Sequence, residues 1–189
     1  MEQGYSKITK IRKKEVPYTH VKSLKDRLNQ NAEERDYKGF IGVLKYGSRY
    51  LKNYYLGILA NFMPYSAPRV TLHRARGAHI GENVLIGQNV VIDNTYPELV
   101  YIGDGVSLAG NNLILTHSRP LEFHKKWFES YIAPVVIEKN VWITVGVTIL
   151  AGVHIGEGSV IAANSLVSKD IPEYSLAAGT PAKVIKKLD

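Results

Sequence analysis

The 189-residue chain contains no cysteine. Disulfide scaffolds, thiolate zinc sites and cysteine nucleophiles are therefore excluded. No stretch reaches the roughly 18 uncharged apolar residues that a membrane span requires. The opening residues, MEQGYSKITKIRKKE, lack the apolar centre of a secretory signal. These absences fit a cytoplasmic protein. Carboxylates are scarce in the first third: up to Arg69 there are 14 basic and 6 acidic residues, against 10 and 11 from Val70 to Asp189. The net charge of +7 thus comes entirely from the first third. No recognised nucleic-acid-binding motif accompanies that excess, so no nucleic-acid partner is expected. Apolar residues at 45% and charged residues at 22% match an ordinary folded domain.

The chain divides near residue 70, into 1–69 and 70–189. Residues 1–20 read as a polar tail without a period. Val21, Leu24 and Leu28 fall at helical spacing and predict a short helix over Val21–Asp36. A longer helix is expected over 38–63. Its Phe40, Leu44, Leu51, Tyr55, Ile58 and Phe62 share one face, and Pro64 and Pro68 should stop it. Eight of the twelve tyrosines precede residue 70. A basic, aromatic face of this kind can cap a repeat stack, pack on a partner subunit, or rest peripherally on a membrane.

From Ile80 a six-residue period dominates. Ile80-Gly81-Glu82-Asn83-Val84-Leu85 is followed by Ile86-Gly87-Gln88-Asn89-Val90-Val91 and Ile92. The pattern resumes at Ile102, Leu108 and Ile114, and again at Ile137, Ile143, Ile149, Ile155, Ile161 and Val167. Small or β-branched residues follow four positions later: Val141, Val147, Val153, Ser159, Ser165 and Ile171. Six is a multiple of the strand period but not of 3.6, so a helix would scatter these side chains around its circumference. Short strands separated by turns, each turning one aliphatic residue inward, make a parallel β-helix. Twelve such positions give roughly four triangular coils, a prism about 20 Å tall.

These repeats, with the closing run Lys169-Asp170-Ile171-Pro172-Glu173-Tyr174-Ser175 and Ala178-Gly179-Thr180-Pro181-Ala182-Lys183, resemble the hexapeptide-repeat acyltransferases. The likeness is strongest to the galactoside, maltose and polysaccharide O-acetyltransferases. The resemblance implies a mainly β fold, a left-handed parallel β-helix with an N-terminal α-helical segment. It also implies a homotrimer with active sites between subunits, acetyl-CoA as donor, no metal, and a sugar or polysaccharide-precursor acceptor.

The period breaks twice. Ile92 to Ile102 carries four extra residues, among them Asp93 and Asn94. Ile114 to Ile137 contains an extended loop at 117–136. Long insertions in a repeat protein tend to carry function. His117, after Thr116 where that loop leaves the coil, matches the family's catalytic histidine. Attack of a hydroxyl on a thioester needs a base, and a neutral imidazole suits neutral pH. Asp93 and Asn94 lie about one coil earlier, where stacking brings them to the same wall. A carboxylate there could bind sugar hydroxyls or orient the imidazole. Asn89, Glu122 and His124 are further acceptor candidates. In the galactoside and maltose enzymes an N-terminal helix also supplies an acidic residue, for which no counterpart is identifiable by motif.

By resemblance Trp142, Val145, Ala163 and Thr180 stand at donor-contact positions. Lys169, Lys183 and Lys186 can neutralise coenzyme A phosphates. Groove amides would steady the developing oxyanion. The chain departs from the family at Thr144, where glycine is usual, at Val145, and in Ile161-Ala162-Ala163-Asn164-Ser165. His79 and His154 each precede an Ile-Gly pair and should face outward, and His20 and His73 lie outside any motif. The spacing of His79 and His117 puts them at different corners, which argues against a three-histidine metal site. The alternatives are a non-catalytic trimeric scaffold, another acyl donor, or an amine acceptor.

Overall fold

The computed structural model describes residues 13–19 and 23–188. His20, Val21 and most of the expected polar tail lie outside the described residues.

The repeat region is a three-walled left-handed parallel β-helix. The first wall stacks β2 (His79–Ile80), β5 (Val100–Ile102), β10 (Val135–Ile137) and β13 (His154–Ile155). The second stacks β3 (Leu85–Ile86), β6 (Ser107–Leu108), β11 (Trp142–Ile143) and β14 (Val160–Ile161). The third stacks β4 (Val91–Ile92), β7 (Leu113–Ile114), β12 (Thr148–Ile149) and β15 (Leu166–Val167). Pairing within each wall is parallel and aligns the periodic residues, as in Ile86↔Leu108, Leu108↔Ile143 and Ile143↔Ile161. Eleven of the twelve are at most 2% exposed, and Ile80, in the first coil, is partly buried. Burial of each contributes roughly 2 kcal/mol through water released from its apolar surface.

The corners follow a second rule. Three residues after an inward aliphatic, the backbone turns through positive φ, at Asn83, Asn89, Gly105, Asn111, Asn140, Gly146, Gly152, Gly158 and Asn164. Asparagine and glycine tolerate that region, which explains their recurrence. The glycine directly after the aliphatic has a different reason. A Cβ on Gly87 would come within 2.6 Å of the Ala109 backbone in the next coil. Late in the stack, serines replace valines on the inside. Ser159 donates to Pro172 O at 2.7 Å, and Ser165 accepts from Gly179 N at 3.1 Å, tying in the chain end. There β16 (Ser175–Gly179) joins the second wall and pairs antiparallel with β17 (Ala182–Lys187).

Three α-helices precede the prism among the described residues: α1 (Leu24–Glu33), α2 (Gly39–Phe62) and α3 (Ser66–Ala75). Ser23 caps α1 by accepting from Asp26 N at 3.0 Å. Pro64 follows α2 as expected, but Pro68 does not end a helix. It sits in the first turn of α3, where its missing N–H has no intrahelical acceptor to lose. The sequence boundary at residues 69 and 70 therefore falls inside α3. This helix closes the first coil. Ser66 Oγ accepts from Ile86 N, and Arg69 donates to Ile86 O, both at 2.8 Å. Arg76 donates to Ile92 O, also at 2.8 Å. These side chains satisfy strand-edge groups that a bare coil end would leave open.

Helix α2 packs by an unexpected side. Its buried residues are Gly42, Tyr46, Asn53 and Ala60, small or polar for the most part. Phe40, Leu44, Leu51, Tyr55, Ile58 and Phe62 do share a face, and it is the outward one.

His73 on α3 is buried, and Arg76 Nη1 donates to its Nδ1 at 2.8 Å. Burial first, and the Arg76 charge second, push its pKa down to about 3. The unfolded chain takes up this proton near pH 6.5 and the folded chain does not, so stability falls as pH drops from about 6.5 toward 3. Urea unfolding at about pH 5 should show a stability about 2 kcal/mol below that at pH 7.5, a gap that narrows in His73→Gln. An unchanged gap in the variant would assign the loss to other groups.

Candidate active site

The four-residue insertion and the long excursion leave the prism at the same corner, in successive coils. Asp93 follows Ile92 on the third wall, and its N–H donates to Ile114 O at 3.0 Å. Thr116 and His117 follow Ile114. The excursion folds back as a hairpin: β8 (His117–Ser118) pairs antiparallel with β9 (Tyr131–Ile132). A third strand, β1 (Lys14–Glu15), comes from the segment expected to be a polar tail.

The two corner residues meet. His117 Nδ1 lies 2.6 Å from Asp93 Oδ2, with side-chain exposures of 28% and 1%. The carboxylate is saturated with donors. Oδ1 accepts from Thr95 N at 2.7 Å and Tyr96 N at 3.2 Å. Oδ2 also accepts from Thr116 N at 3.0 Å and Thr116 Oγ1 at 2.9 Å. Burial by itself would raise the Asp93 pKa. The His117 hydrogen bond and charge, with the Thr116 and Thr95 N–H groups, outweigh it and hold the group at about 2. At 1% side-chain exposure, with both oxygens accepting from protein donors, Asp93 is arranged to orient the imidazole. An ionised carboxylate is acceptor-only, so His117 Nδ1 carries the hydrogen and the neutral ring leaves Nε2 as its lone-pair nitrogen.

A polar cluster surrounds the pair. The Tyr96 ring meets the imidazole edge to face at 5.9 Å, and its hydroxyl donates to Glu34 Oε2 at 3.2 Å. Arg35 lies 4.1 Å over the Tyr96 ring and donates to Thr95 O. Arg119, two residues beyond His117, ion-pairs with Glu34 and donates to Asn31. Glu34 Oε1 is buried and has no hydrogen-bond partner among the described residues. A cavity of about 300 Å³ adjoins Arg119, Asn31, Gln30, Thr19 and Leu121. Tyr96, Glu34, Arg35 and Arg119 were not singled out from sequence. Arg119 and Tyr96 sit inside the two interruptions, which is the signal that could have found them. The end of α1 offered no such signal.

The other candidates are dispersed. Asn94 Oδ1 accepts from Arg76 Nη2, so its side chain is held toward α3. Asn89 turns the corner between the second and third walls, and its Nδ2 donates to Asn111 Oδ1 at 3.2 Å, one corner away from His117. Glu122 and His124 lie on the 3-10 turn Glu122–His124 within the excursion. Glu122 pairs with Lys125, and the His124 ring contacts Phe123 and Phe128 edge to face. His79 stacks on Tyr101 at 4.5 Å and His154 hydrogen-bonds Glu138 at 2.9 Å.

Val145, Ala163 and Thr180 form one exposed column along the corner between the second and third walls. Asn164 N donates to Val145 O at 3.0 Å, and Thr180 Oγ1 donates to Asn164 O at 3.3 Å. Trp142 stands exposed on the adjoining second wall, between Ser107 and Val160. Lys183 and Lys186 are exposed on β17. Lys169 is apart from the column, on the His117 corner two coils further along.

Two sequence families match the prism. Residues 77–117 match the hexapeptide repeat of succinyl-transferase, and residues 134–169 match the bacterial transferase hexapeptide of six repeats. The chain is 39% identical to galactoside O-acetyltransferase of Escherichia coli over 123 residues, 65% of this chain and 60% of that protein. The match thus spans about three-fifths of the curated relatives' length. Two solved structures superpose with a TM-score of 0.61. One is a hexapeptide-repeat acetyltransferase of Vibrio cholerae complexed with acetyl-CoA, 29% identical over 76% of this chain and 88% of that one. The other is a maltose O-acetyltransferase of Clostridium difficile, 30% identical over the same shares. Repeats, coil and relatives agree: the chain belongs to the hexapeptide-repeat acetyltransferase family.

Proposed function

We propose that this protein transfers an acetyl group from acetyl-CoA to a hydroxyl of a sugar or polysaccharide precursor. The observation that carries the reading is the Asp93–His117 pair, a buried carboxylate that fixes the tautomer of a half-exposed imidazole. His117 Nε2 takes the acceptor hydroxyl's proton as that oxygen attacks the thioester carbon. The C–S bond then breaks, and the imidazolium returns its proton to the departing thiolate. Asp93 stays ionised and stabilises the imidazolium without taking its proton.

The column Val145–Ala163–Thr180, beside Trp142, suits a thin amide chain such as pantetheine, which needs backbone groups and shape. Lys183 and Lys186 follow that column and can attract the donor's phosphates. The column and His117 leave the prism at different corners. A donor on one copy would therefore meet the imidazole of a neighbouring copy, as a trimer with shared sites requires. Glu34, with its unpartnered oxygen, is positioned to accept from an acceptor hydroxyl if Arg119 yields.

Purified protein mixed with acetyl-CoA and a panel of sugars should release free thiol only with an acceptor present. Mass spectrometry should place the acetyl group on oxygen. Absence of acetyl-CoA binding by calorimetry would favour a scaffold, and acetylated amino sugars would reassign the acceptor atom.

A further inference from the structure

Among the described residues, the outward face of α2 is largely unpartnered; only Ile58, 37% exposed, borders a cleft toward Val90, Val91 and Ile92. At ~100° per residue, Phe40, Leu44, Leu51, Tyr55, Ile58 and Phe62 fall within about 60° of arc, nearly opposite Gly42, Tyr46, Asn53 and Ala60. Phe40 is 79% exposed, Phe62 77% and Tyr55 63%, and Ile41 and Leu59 widen the stripe. Over 24 residues it runs about 36 Å. Isolated exposed leucines need no explanation, but a contiguous stripe of this size marks a contact surface.

The flanks indicate what covers it. Lys45 and Lys52 lie along one side, and the exposed Tyr50 and Tyr54 along the other. Lys38 stands at the helix start and Tyr65 just beyond its end. Lysines bury their stems against apolar matter while keeping ammonium groups in water, and tyrosines favour an apolar–aqueous boundary. From Tyr37 to Gly81 there is not one aspartate or glutamate, against seven lysines and arginines. A second copy pairing on this face would set like charges together with no carboxylate from α2 to receive them. An anionic surface complements it. Among the described residues, no helix is long and apolar enough to cross a membrane.

We propose that α2 is an interfacial helix that lays its apolar stripe into an anionic lipid bilayer, holding the prism at the membrane surface. The stripe enters the acyl boundary, Tyr50 and Tyr54 sit at the headgroups, and Lys38 and Lys45 pair with lipid phosphates, while Lys52 donates to Ala75 O at 3.0 Å and stays with α3. This surface is separate from the Asp93–His117 corner and does not depend on acetyl transfer.

Full-length protein should cosediment with vesicles of phosphatidylcholine and phosphatidylglycerol at low salt. It should bind pure phosphatidylcholine at least about tenfold more weakly. Lys38→Gln/Lys45→Gln should lower binding to the anionic vesicles about tenfold or more, and raised salt should do the same. Leu51→Glu/Tyr55→Glu should abolish binding. Both double variants change exposed side chains, so their melting temperatures and thiol release with a soluble acceptor should match the parent. No vesicle binding by the parent would overturn the proposal. So would sedimentation showing that Leu51→Glu/Tyr55→Glu splits an oligomer whose parent ignores vesicles, which would assign the stripe to a second copy. Equal binding to neutral and anionic vesicles would overturn the lysines' part in it.

Discussion

Replacing His117 with alanine is expected to lower kcat/KM for acetyl transfer about a thousandfold, with acetyl-CoA affinity held within about twofold. The expectation rests on where the imidazole stands. Its Nδ1 faces the buried Asp93 carboxylate at 2.6 Å, so Nε2 is the atom left for chemistry. An acceptor hydroxyl has a pKa far above neutral, and without a base it attacks the thioester poorly. Removing the ring deletes a partner made useful only as the hydroxyl loses its proton, so the loss should fall on kcat. Stopped-flow thiol detection and calorimetry with acetyl-CoA separate the two quantities. Equal turnover in the variant would remove His117 from the mechanism. A large loss of donor affinity would make it a binding residue instead.

Asp93→Asn should give the second largest effect, a fall of about a hundredfold or more in kcat/KM with little change in donor affinity. The substitution preserves shape but not polarity. One carboxylate oxygen becomes an NH2 group, facing either the Thr95 and Tyr96 N–H groups or the Thr116 N–H and the His117 ring. The arrangement that keeps an oxygen toward Thr95 and Tyr96 presents a donor to His117 Nδ1 and favours the opposite tautomer. Nitrogen-15 spectra of the imidazole would report that exchange directly, and a purely structural residue would not cause it. The variant should also lose stability. The Asp93 carboxyl is held at about 2, below an ordinary aspartate, so its ionised form adds roughly 2 to 3 kcal/mol at neutral pH, lost as pH falls from about 4 to 2. Full activity with an unchanged spectrum would mean that Asp93 serves the fold alone.

The coil was legible because one rule repeats. Every sixth residue from Ile137 to Val167 is aliphatic, and no helix can bury that pattern on one side. The juxtaposition of Asp93 and His117 was also countable, since both follow a third-wall isoleucine one coil apart. What escaped notice lacks a local signature. Pro68 reads as a breaker, and only the cap it forms over the first coil reveals a helix start. The burial of Asn53 and exposure of Leu51 invert the usual amphipathic logic, which periodicity cannot report. Glu34 reaches Arg119 across 85 residues of chain, and composition near Glu34 says nothing of that meeting. The corner asparagines were visible as letters, but their backbone reason appears only when φ turns positive.

The two interruptions differ greatly in length, yet each displaces all three walls by the same offset. Ile80, Ile86 and Ile92 pair with Ile102, Leu108 and Ile114, and these in turn with Ile137, Ile143 and Ile149. The same corner therefore bulges by 4 residues in one coil and by 17 in the next without unthreading the core beneath it. Such a scaffold lets the surface around the interrupted corner be rewritten while the stacking frame stays untouched. Segments spliced at the Asp93 or His117 corner should retarget the molecule at small expense to folding.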